Sequence, residues 1–292
     1  MKALVTGSAG FLGAHVCRYL MAEGFEVAGF DQNETSIPGV EGITGDLLDP
    51  GSLAKALAGR DVVCHIGAIG DVYLAAEQPG LAAAVNVTGS ANIASAARET
   101  GSRVVYASTW EVYGEPEYEP VDEAHPCNPD HPYNITKLAG ERMLLAADHL
   151  NDVPVVALRL GTAYGLGMRP NSVFEIFIRK ARAGEPITIM GDGSAGRQFT
   201  HARDIARAFM LAARSEIRGI ALNVVSPDLV TIKQLADAVA ERFPTEISYG
   251  EARAGDVPTS TVSAGRIEAE LGWKPEVTFL EGMEELLSAE RV

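Results

Sequence analysis

The chain has 292 residues, of which 47% are hydrophobic and 22% charged, a composition typical of a globular protein with a sizeable core. Its 39 acidic and 24 basic residues give a formal net charge of −15, so nucleic acid is not an expected partner. The longest uncharged stretch, 78–97, contains proline, asparagine, serine and threonine, which argues against a membrane span. Three widely spaced cysteines, and glycines too early in the chain for a signal peptide, predict a reducing, cytoplasmic location.

Short apolar runs alternate with helical patterns through the first part of the chain. The predicted strands are 2–6, 25–30, 61–66, 103–107 and 153–160. The segments between them are long enough for crossover helices, which parallel strands require. This alternation predicts an α/β fold with a doubly wound parallel sheet of the Rossmann type, buried on both faces.

The pattern changes beyond about residue 165, where helices, a glycine-rich loop and short mixed elements follow. The predicted helices are 172–183, 232–243 and 280–289. Thr231 precedes the second of these helices and is its expected N-cap. We therefore expect a Rossmann domain, 1–165, and a smaller lobe, 166–292, of which the segment 200–230 packs back on the first domain.

Glycines follow the first predicted strand and open the first predicted helix. Gly7, Gly10 and Gly13 stand three residues apart, which departs from the GxGxxG spacing of dinucleotide-binding loops. A turn without side chains lets backbone N–H groups, here including those of Phe11 and Leu12, approach a pyrophosphate at the positive end of a helix. Tight packing is the alternative explanation, and the acidic residue that follows favours the phosphate interpretation.

Asp31 ends the second predicted strand, eighteen residues after Gly13. A carboxylate at this place can accept hydrogen bonds from both ribose hydroxyls of an adenosine, and it repels a 2′-phosphate. Because no arginine follows at once, NAD is favoured over NADP. A solvated turn residue is the alternative interpretation. Asp46 and Leu47, after the next short strand, are candidate contacts for the adenine edge.

Tyr133 and Lys137 lie four residues apart in a helical pattern and therefore share one face. A nearby ammonium is expected to stabilise the tyrosine phenolate and to lower its pKa from about 10, and Lys137 can also reach a ribose hydroxyl. Upstream, Ser108 and Thr109 end an apolar strand at the edge where a doubly wound sheet binds ligands. Thr109 can thus hydrogen-bond the same substrate oxygen as Tyr133, although each motif alone also occurs in ordinary helices and turns.

The motifs TGSAGFLG, Asp31, ASTWEVYG and YNITK occur in this order, and together they resemble the extended short-chain dehydrogenases of the nucleotide-sugar epimerase/dehydratase family. The resemblance covers essentially the whole chain, continuing in NVTGS from Asn86, in GDG followed by Arg197, and in RAGD from Arg253. It implies NAD as the cofactor, a nucleotide-sugar as the substrate and a homodimer as the assembly. The helices around 82–98 and around Tyr133 would form the dimer interface.

The same resemblance implies roles for individual residues. Tyr133 is the general base, Lys137 is its partner and ribose clamp, and Thr109 orients the reacting oxygen. Arg197 and Arg253 hold the nucleotide diphosphate, since a diphosphate in an acidic protein needs local cations; pairing with neighbouring acids is the alternative. The further cofactor contacts implied are Gly67, which replaces a usual alanine, Ala68 and Asn86.

Two departures from the family pattern narrow the expected reaction. Trp110 stands where related dehydratases carry an acidic Asp, which argues against dehydration. Glu111 remains as either a base in a decarboxylase-like reaction or a polar residue at a strand end. Thr162 stands where many relatives have an Asn that contacts the diphosphate. The expected substrate contacts are Ser108, Thr109, Glu111, Thr162, Arg197 and Arg253.

The leading hypothesis is an NAD-dependent 4-epimerase of a UDP-hexose or related nucleotide-sugar. Tyr133 takes the C4 hydroxyl proton, hydride passes to bound NAD and returns to the opposite face of the ketone, and no net redox results. A ketoreductase, a sugar dehydrogenase or a decarboxylase would use the same triad. A non-catalytic NAD-binding regulator is the alternative from another class, but such a protein would be expected to lose Tyr133 or Lys137.

Overall fold

The computed structural model describes residues 1–251 and 260–289. Its largest element is a seven-stranded sheet with the strand order β11-β6-β5-β4-β1-β2-β3. The strands are β1 Lys2–Thr6, β2 Glu26–Asp31, β3 Glu41–Thr44, β4 Val62–His65, β5 Arg103–Thr109, β6 Val155–Leu160 and β11 Ile220–Val224. Every neighbouring pair in this sheet is parallel. The predicted doubly wound α/β fold is therefore confirmed.

Helices cover both faces of the sheet, which is why its central strands are apolar on both sides. The helices of this region are α1 Phe11–Ala22, α2 Pro50–Leu57, α3 Val72–Glu77, α4 Pro79–Ala83, α5 Gly89–Thr100, α6 Pro132–Asn151 and α8 Ala202–Arg214. Residues of α1 and α8 pack with one face of the sheet, and residues of α2, α5 and α6 pack with the other. A π-helical turn, Ala84–Thr88, joins α4 to α5.

The smaller lobe has its own apolar core, built on the helices α7, α9 and α11 and on pairs of short strands. These helices are α7 Val173–Arg182, α9 Ile232–Arg242 and α11 Phe279–Ser288, whereas α10 Gly265–Leu271 packs on β11 of the large sheet. The strands are β7 Thr162–Tyr164, β8 Ile187–Met190, β9 Gly196–Arg197, β10 Phe199–His201, β12 Val230–Thr231 and β13 Ile247–Gly250. They pair as β7 with β10, β8 with β13 and β9 with β12. Residues of α7, α9 and α11 share the core of this lobe.

Thr231 begins α9 with a reciprocal capping box, since its hydroxyl accepts from the Gln234 backbone and the Gln234 side chain accepts from the Thr231 backbone. The sheet strand β11 and the helix α8 lie on the large sheet although they come late in the chain. Within the described residues, no helix combines the length and the apolar character needed to cross a bilayer.

The strand order places the binding edge of the sheet. The order in which the chain adds strands to the sheet reverses at β1, because β2 and β3 lie on one side of it and β4 and β5 lie on the other. Ligands of such sheets bind outside the carboxyl ends of the strands at this switch point. The glycine loop after β1, the acid that ends β2 and the hydroxyl residues that end β5 all lie at this edge.

Candidate active site

A cavity of about 330 Å³ opens at the carboxyl ends of β1, β2 and β4. We call it the glycine-loop cavity. Its walls include most of the residues predicted to bind the cofactor, namely Gly7, Gly10, Phe11, Leu12, Gly13, Asp31, Asp46, Leu47, Gly67 and Ala68. The sequence motifs that are far apart in the chain thus meet at one place.

The glycine loop is packed so closely that side chains are excluded. Gly7 has a left-handed backbone with φ +71°, and a Cβ there would lie 2.8 Å from the Gly67 backbone. A Cβ at Gly13 would lie 2.0 Å from the carbonyl oxygen of Gly7. The N-cap of α1 is Gly10, with neither a side-chain cap nor an acidic residue in the first turn. The first N–H groups of α1 are therefore suited to a phosphate, and the residues present fit NAD.

Asp31 presents its carboxylate to the glycine-loop cavity from the end of β2. One carboxylate oxygen accepts from the Asn33 backbone at 2.9 Å, and the other accepts from the Ala9 backbone at 3.2 Å. These bonds fix the carboxylate beside the loop, and a carboxylate has lone pairs left for ribose hydroxyls. The charge also disfavours a 2′-phosphate at this place.

The loop after β4 is held by Thr6 and His65, which the sequence motifs did not identify. The Thr6 hydroxyl accepts from the backbones of Ile66 and Gly67 at 3.1 and 3.0 Å, and it contacts His65 Nδ1 at 2.9 Å. Burial lowers the pKa of His65 to about 3, and the charge of Lys137 acts in the same direction. A neutral His65 therefore supports the loop.

Asn86 lies in the π-helical turn between α4 and α5 and is almost fully buried. Its side-chain oxygen accepts from the Ile69 backbone at 2.8 Å, and its nitrogen donates to Ile69 O at 3.2 Å and to the Thr136 hydroxyl at 2.9 Å. The amide thereby fastens the loop after β4 to α6. It is placed to support the walls of the site, and its direct contact with the cofactor stays a prediction.

A second cavity of about 450 Å³ adjoins the first, and we call it the Tyr133 cavity. The two cavities share Phe11, Leu12, Ile66 and Ala68 as walls. The Tyr133 cavity collects the predicted catalytic group and several predicted substrate contacts, namely Ser108, Thr109, Glu111, Tyr133, Lys137 and Thr162. The predicted cofactor contacts and the predicted reacting groups therefore line adjoining cavities.

Local signals position these side chains. Pro132 begins α6, and the ring of His131 accepts from the Tyr133 backbone at 3.2 Å, so the predicted catalytic tyrosine lies in the first turn of the helix. Thr109 ends β5, and its hydroxyl accepts from the Glu111 backbone at 3.3 Å, which leaves the hydroxyl proton free to donate. The Ser108 hydroxyl instead donates to Glu141 at 2.6 Å.

The pKa of Tyr133 is raised in the structure, whereas the sequence predicted that Lys137 would lower it. Burial raises the pKa of Tyr133 well above its usual value, the Glu111 carboxylate raises it further, and Arg169 lowers it. Burial also lowers the pKa of Lys137 to about 7, with Glu141 opposing, so the expected ammonium is only partly charged at neutral pH. The physical reason for the difference is that burial disfavours both the charged phenolate and the charged amine that would stabilise it.

Glu111 and Arg169 are the other charged groups of the Tyr133 cavity. Burial raises the pKa of Glu111, and Arg197 opposes this effect. Arg169 forms an ion pair with Asp71 at 3.0 Å, which joins the loop after β7 to the start of α3. No sequence motif pointed to Arg169, because its place at the cavity depends on how the two lobes meet.

A third cavity of about 450 Å³ lies in the smaller lobe, and we call it the Arg197 cavity. It shares Thr162, Val173 and Phe199 with the Tyr133 cavity. Arg197 donates to Gly196 O at 2.8 Å, whereas its neighbour Asp192 accepts from Ser194. The sequence signals missed Asn171 and Lys180, which also line this cavity. The predicted contact Arg253 lies outside the described residues.

Comparison with known proteins identifies the family. Residues 3–224 match the family described as the NAD dependent epimerase/dehydratase family, and the chain belongs to it. The UDP-glucose 4-epimerase of Mycolicibacterium smegmatis is 32% identical over 303 residues, covering 97% of this chain and 96% of the relative.

Solved structures agree with this membership. MoeE5 in complex with UDP-glucose and NAD is 33% identical with a TM-score of 0.90, covering 98% of this chain and 97% of that one. The Thermus thermophilus UDP-glucose 4-epimerase complex with NAD is 32% identical with a TM-score of 0.89, covering 99% and 100%. The family, the NAD cofactor and the class of NAD-dependent epimerase predicted from the sequence are thus confirmed.

Proposed function

We propose that the protein epimerises C4 of the sugar in a UDP-hexose or a related nucleotide-sugar. The observation that carries this proposal is the row of three adjoining cavities, in which each neighbouring pair shares wall residues. The glycine-loop cavity shares walls with the Tyr133 cavity, which is lined by Thr109 and Tyr133, and Thr162 lies between the Tyr133 cavity and the Arg197 cavity. Cofactor, sugar and nucleotide can therefore occupy one connected site in that order.

The division of the chain follows from this arrangement. Residues 1–165 bind the cofactor and carry the reacting groups, and residues 166–292 mainly bind the substrate. Arg197 and Arg253 bind the diphosphate, and Thr162 contacts it from the wall between two cavities. The cations are needed because a diphosphate is otherwise repelled by an acidic protein.

The reaction needs a proton acceptor beside a hydride acceptor. When bound, NAD supplies the hydride acceptor and, in its oxidised state, a positive charge that opposes the cost of burying a phenolate. Tyr133 accepts the C4 hydroxyl proton as the C4–H bond breaks, which leaves a ketone at C4. Thr109 donates to the developing carbonyl oxygen. Lys137 contributes partial positive charge and the ribose contact.

Inversion requires the ketone to turn over while the nucleotide stays bound. In this proposal the sugar turns within the Tyr133 cavity of about 450 Å³, by rotation about its link to the diphosphate. Tyr133 then returns the proton, and the C4–H bond forms on the other face. The cycle is closed, with neither net oxidation nor net reduction.

The test is incubation of the purified protein, without added cofactor, with a panel of UDP- and dTDP-hexoses, N-acetylhexosamines and hexuronates. NMR identifies the products. A C4 epimer without net NADH is the expected result. Reaction only after addition of NAD, with accumulation of NADH, would identify a dehydrogenase and refute the proposal.

Glu111 favours a second candidate of the same family, a nucleotide-sugar decarboxylase. Its carboxyl group lines the Tyr133 cavity, and burial raises its pKa toward the range of a general base. A decarboxylase would release CO₂ from a hexuronate in the same panel. The Glu111→Gln variant separates the two candidates, because epimerisation by Tyr133 does not need this carboxylate.

We also propose a homodimer that works in the cytoplasm. Apolar side chains are exposed on α4 and α6, namely Leu81, Ile135, Met143 and Leu150. Ile135 and Met143 lie two helical turns apart on α6, so an antiparallel or crossed contact with a second copy would cover both. The free cysteines Cys17, Cys64 and Cys127 support a reducing compartment.

A further inference from the structure

A buried ion pair lies beneath the Tyr133 cavity and has no part in the reaction described above. Glu141 of α6 is 0% exposed and Arg159 of β6 is 3% exposed. Arg159 Nη2 donates to Glu141 Oε1 at 2.6 Å, and Arg159 Nε donates to Glu141 Oε2 at 3.1 Å. Glu141 follows Lys137 by one helical turn, as Lys137 follows Tyr133, so the three share one face of α6.

The pair belongs to a chain of hydrogen bonds that crosses the fold. On the far side, Arg159 Nη1 donates to the Tyr113 hydroxyl at 2.8 Å, and Tyr113 donates to Asn223 Oδ1 at 2.7 Å. On the near side, the Ser108 hydroxyl donates to Glu141 Oε2 at 2.6 Å. Ser108 lines the Tyr133 cavity, so the chain of bonds ends at the reacting groups.

Stability alone does not call for this pair. Two buried charges lose their hydration, and replacing such a pair by apolar residues of similar volume is often neutral or stabilising. The pair instead determines whether the Ser108 hydroxyl acts toward the cavity as a hydrogen-bond donor or as an acceptor. Since Ser108 donates its only proton to Glu141, its oxygen can act toward the cavity only as an acceptor. Thr109 accepts from a backbone N–H and remains a donor.

We propose that Glu141, clamped by Arg159, is a positioning residue of the catalytic centre. It fixes the Ser108 hydroxyl as an acceptor for a sugar hydroxyl proton, and it holds a negative charge one helical turn from Lys137. Adjacent residues of β5 thereby offer the sugar one acceptor and one donor, which selects one orientation of its hydroxyls. This proposal rests on the proposed epimerase function.

The negative charge of Glu141 affects the pKa of Lys137 because the other groups around Lys137 are neutral. The Lys137 ammonium lies 4.3 Å from the ring centre of Tyr106 on β5 and close to His65 on β4 and Tyr133 on α6. Burial raises the pKa values of Tyr106 and Tyr133 and lowers that of His65 to about 3, so all three are neutral near pH 7. Glu141 is the charge that opposes the lowering of the Lys137 pKa by burial.

The test removes both charges together, because removing one would leave the other buried and unpaired. In the Glu141→Leu/Arg159→Met variant we expect kcat to fall about tenfold, with KM for the nucleotide-sugar within about twofold of wild type. Ser108→Ala should give part of this loss, because it leaves the charge near Lys137 in place, and adding it to the double variant should cost nothing more, since Ser108 acts through Glu141. Tyr113→Phe is the matched control, because it breaks the far end of the chain of bonds and should lower the melting temperature but not kcat.

Two measurements respond to the loss of the Glu141 charge and not to a general loss of packing. The alkaline limb of the kcat profile should move down by about one pH unit in the double variant, because Lys137 loses its proton at lower pH once Glu141 is absent. An NMR titration of protein labelled with [6-¹³C]lysine, with Lys137 assigned from a Lys137→Met sample, should show the same displacement without any turnover.

The results distinguish a positioning role of Glu141 from a purely structural role. Wild-type kcat, pH profile and Lys137 titration in the folded double variant would overturn the proposal. If that variant does not fold, Ser108→Ala decides, and an unchanged kcat there would overturn it equally. A wild-type protein that epimerises nothing refutes the proposed function instead, and the Lys137 titration still tests the link to Glu141.

Discussion

Substitution of Gly13 by alanine tests the packing of the glycine loop. The new Cβ would lie 2.0 Å from the Gly7 carbonyl oxygen and 2.6 Å from the Gly7 carbonyl carbon, so the loop must move by about 1 Å to reach even a 3.0 Å contact. Overpacking of this kind costs about 3 kcal/mol, and the better helix propensity of alanine returns about 1 kcal/mol. A net loss of about 2 kcal/mol should lower the melting temperature by about 5 °C.

The effect on NAD binding should be larger than the effect on stability. A shift of the loop misaligns the N–H groups that face the phosphates, and losing one or two charge-assisted hydrogen bonds weakens binding about 100-fold. Titration of NADH fluorescence measures this affinity, and circular dichroism measures the melting temperature. Gly80→Ala is the matched control, because it also changes a helical glycine but its Cβ meets nothing within 4 Å. Unchanged NADH affinity in Gly13→Ala would refute the argument that this packing shapes the phosphate site.

Four further substitutions separate the roles of individual residues. Tyr133→Phe should lower kcat at least about 1,000-fold with NADH affinity retained, as product NMR and fluorescence titration would show. Glu111→Gln should move the acid limb of kcat/KM to lower pH, because the carboxylate raises the pKa of Tyr133; loss of all turnover at every pH would instead make Glu111 an acid–base group. Asp31→Ser should weaken NAD binding about tenfold and reduce discrimination against NADP in parallel titrations. Met143→Glu should convert a dimer into monomers by light scattering, and an unchanged mass would exclude this face from the interface.

Local sequence signals located most elements of the large sheet, because central parallel strands are continuous apolar runs between helices. The predicted strand 103–107 is two residues shorter than β5, since Ser108 and Thr109 look like turn residues but complete the strand. The predicted helix 232–243 differs from α9 by one residue, because its capping box is a local feature. The pairs β7–β10 and β9–β12 were not predicted. Their strands have two or three residues, too few for a period, and distant contacts determine their pairing.

The site was predictable where a short motif carries its own geometry. The glycines, Asp31 and the Tyr133–Lys137 spacing each follow from one turn, one strand end or one helix face, and the structure brings them to one edge of the sheet. Glu141 and Arg159 were missed because a charged residue in a helix or strand resembles a solvated one. The two residues are 18 positions apart in the sequence, and only the packing of α6 against β6 identifies them as buried partners.

The sequence predicts where Tyr133 and Lys137 lie, but it does not predict their protonation states. The YxxxK spacing places an amine near a phenol, but burial acts on both groups in the direction that removes charge, so Tyr133 holds its proton more tightly and Lys137 less tightly than in water. Neither shift is encoded in four residues, because each depends on the depth of the cavity and on the acids around it. A catalytic phenolate therefore requires positive charge within the same cavity. NAD in its oxidised state would supply such a charge when bound, in addition to Arg169, which already lowers the pKa of Tyr133.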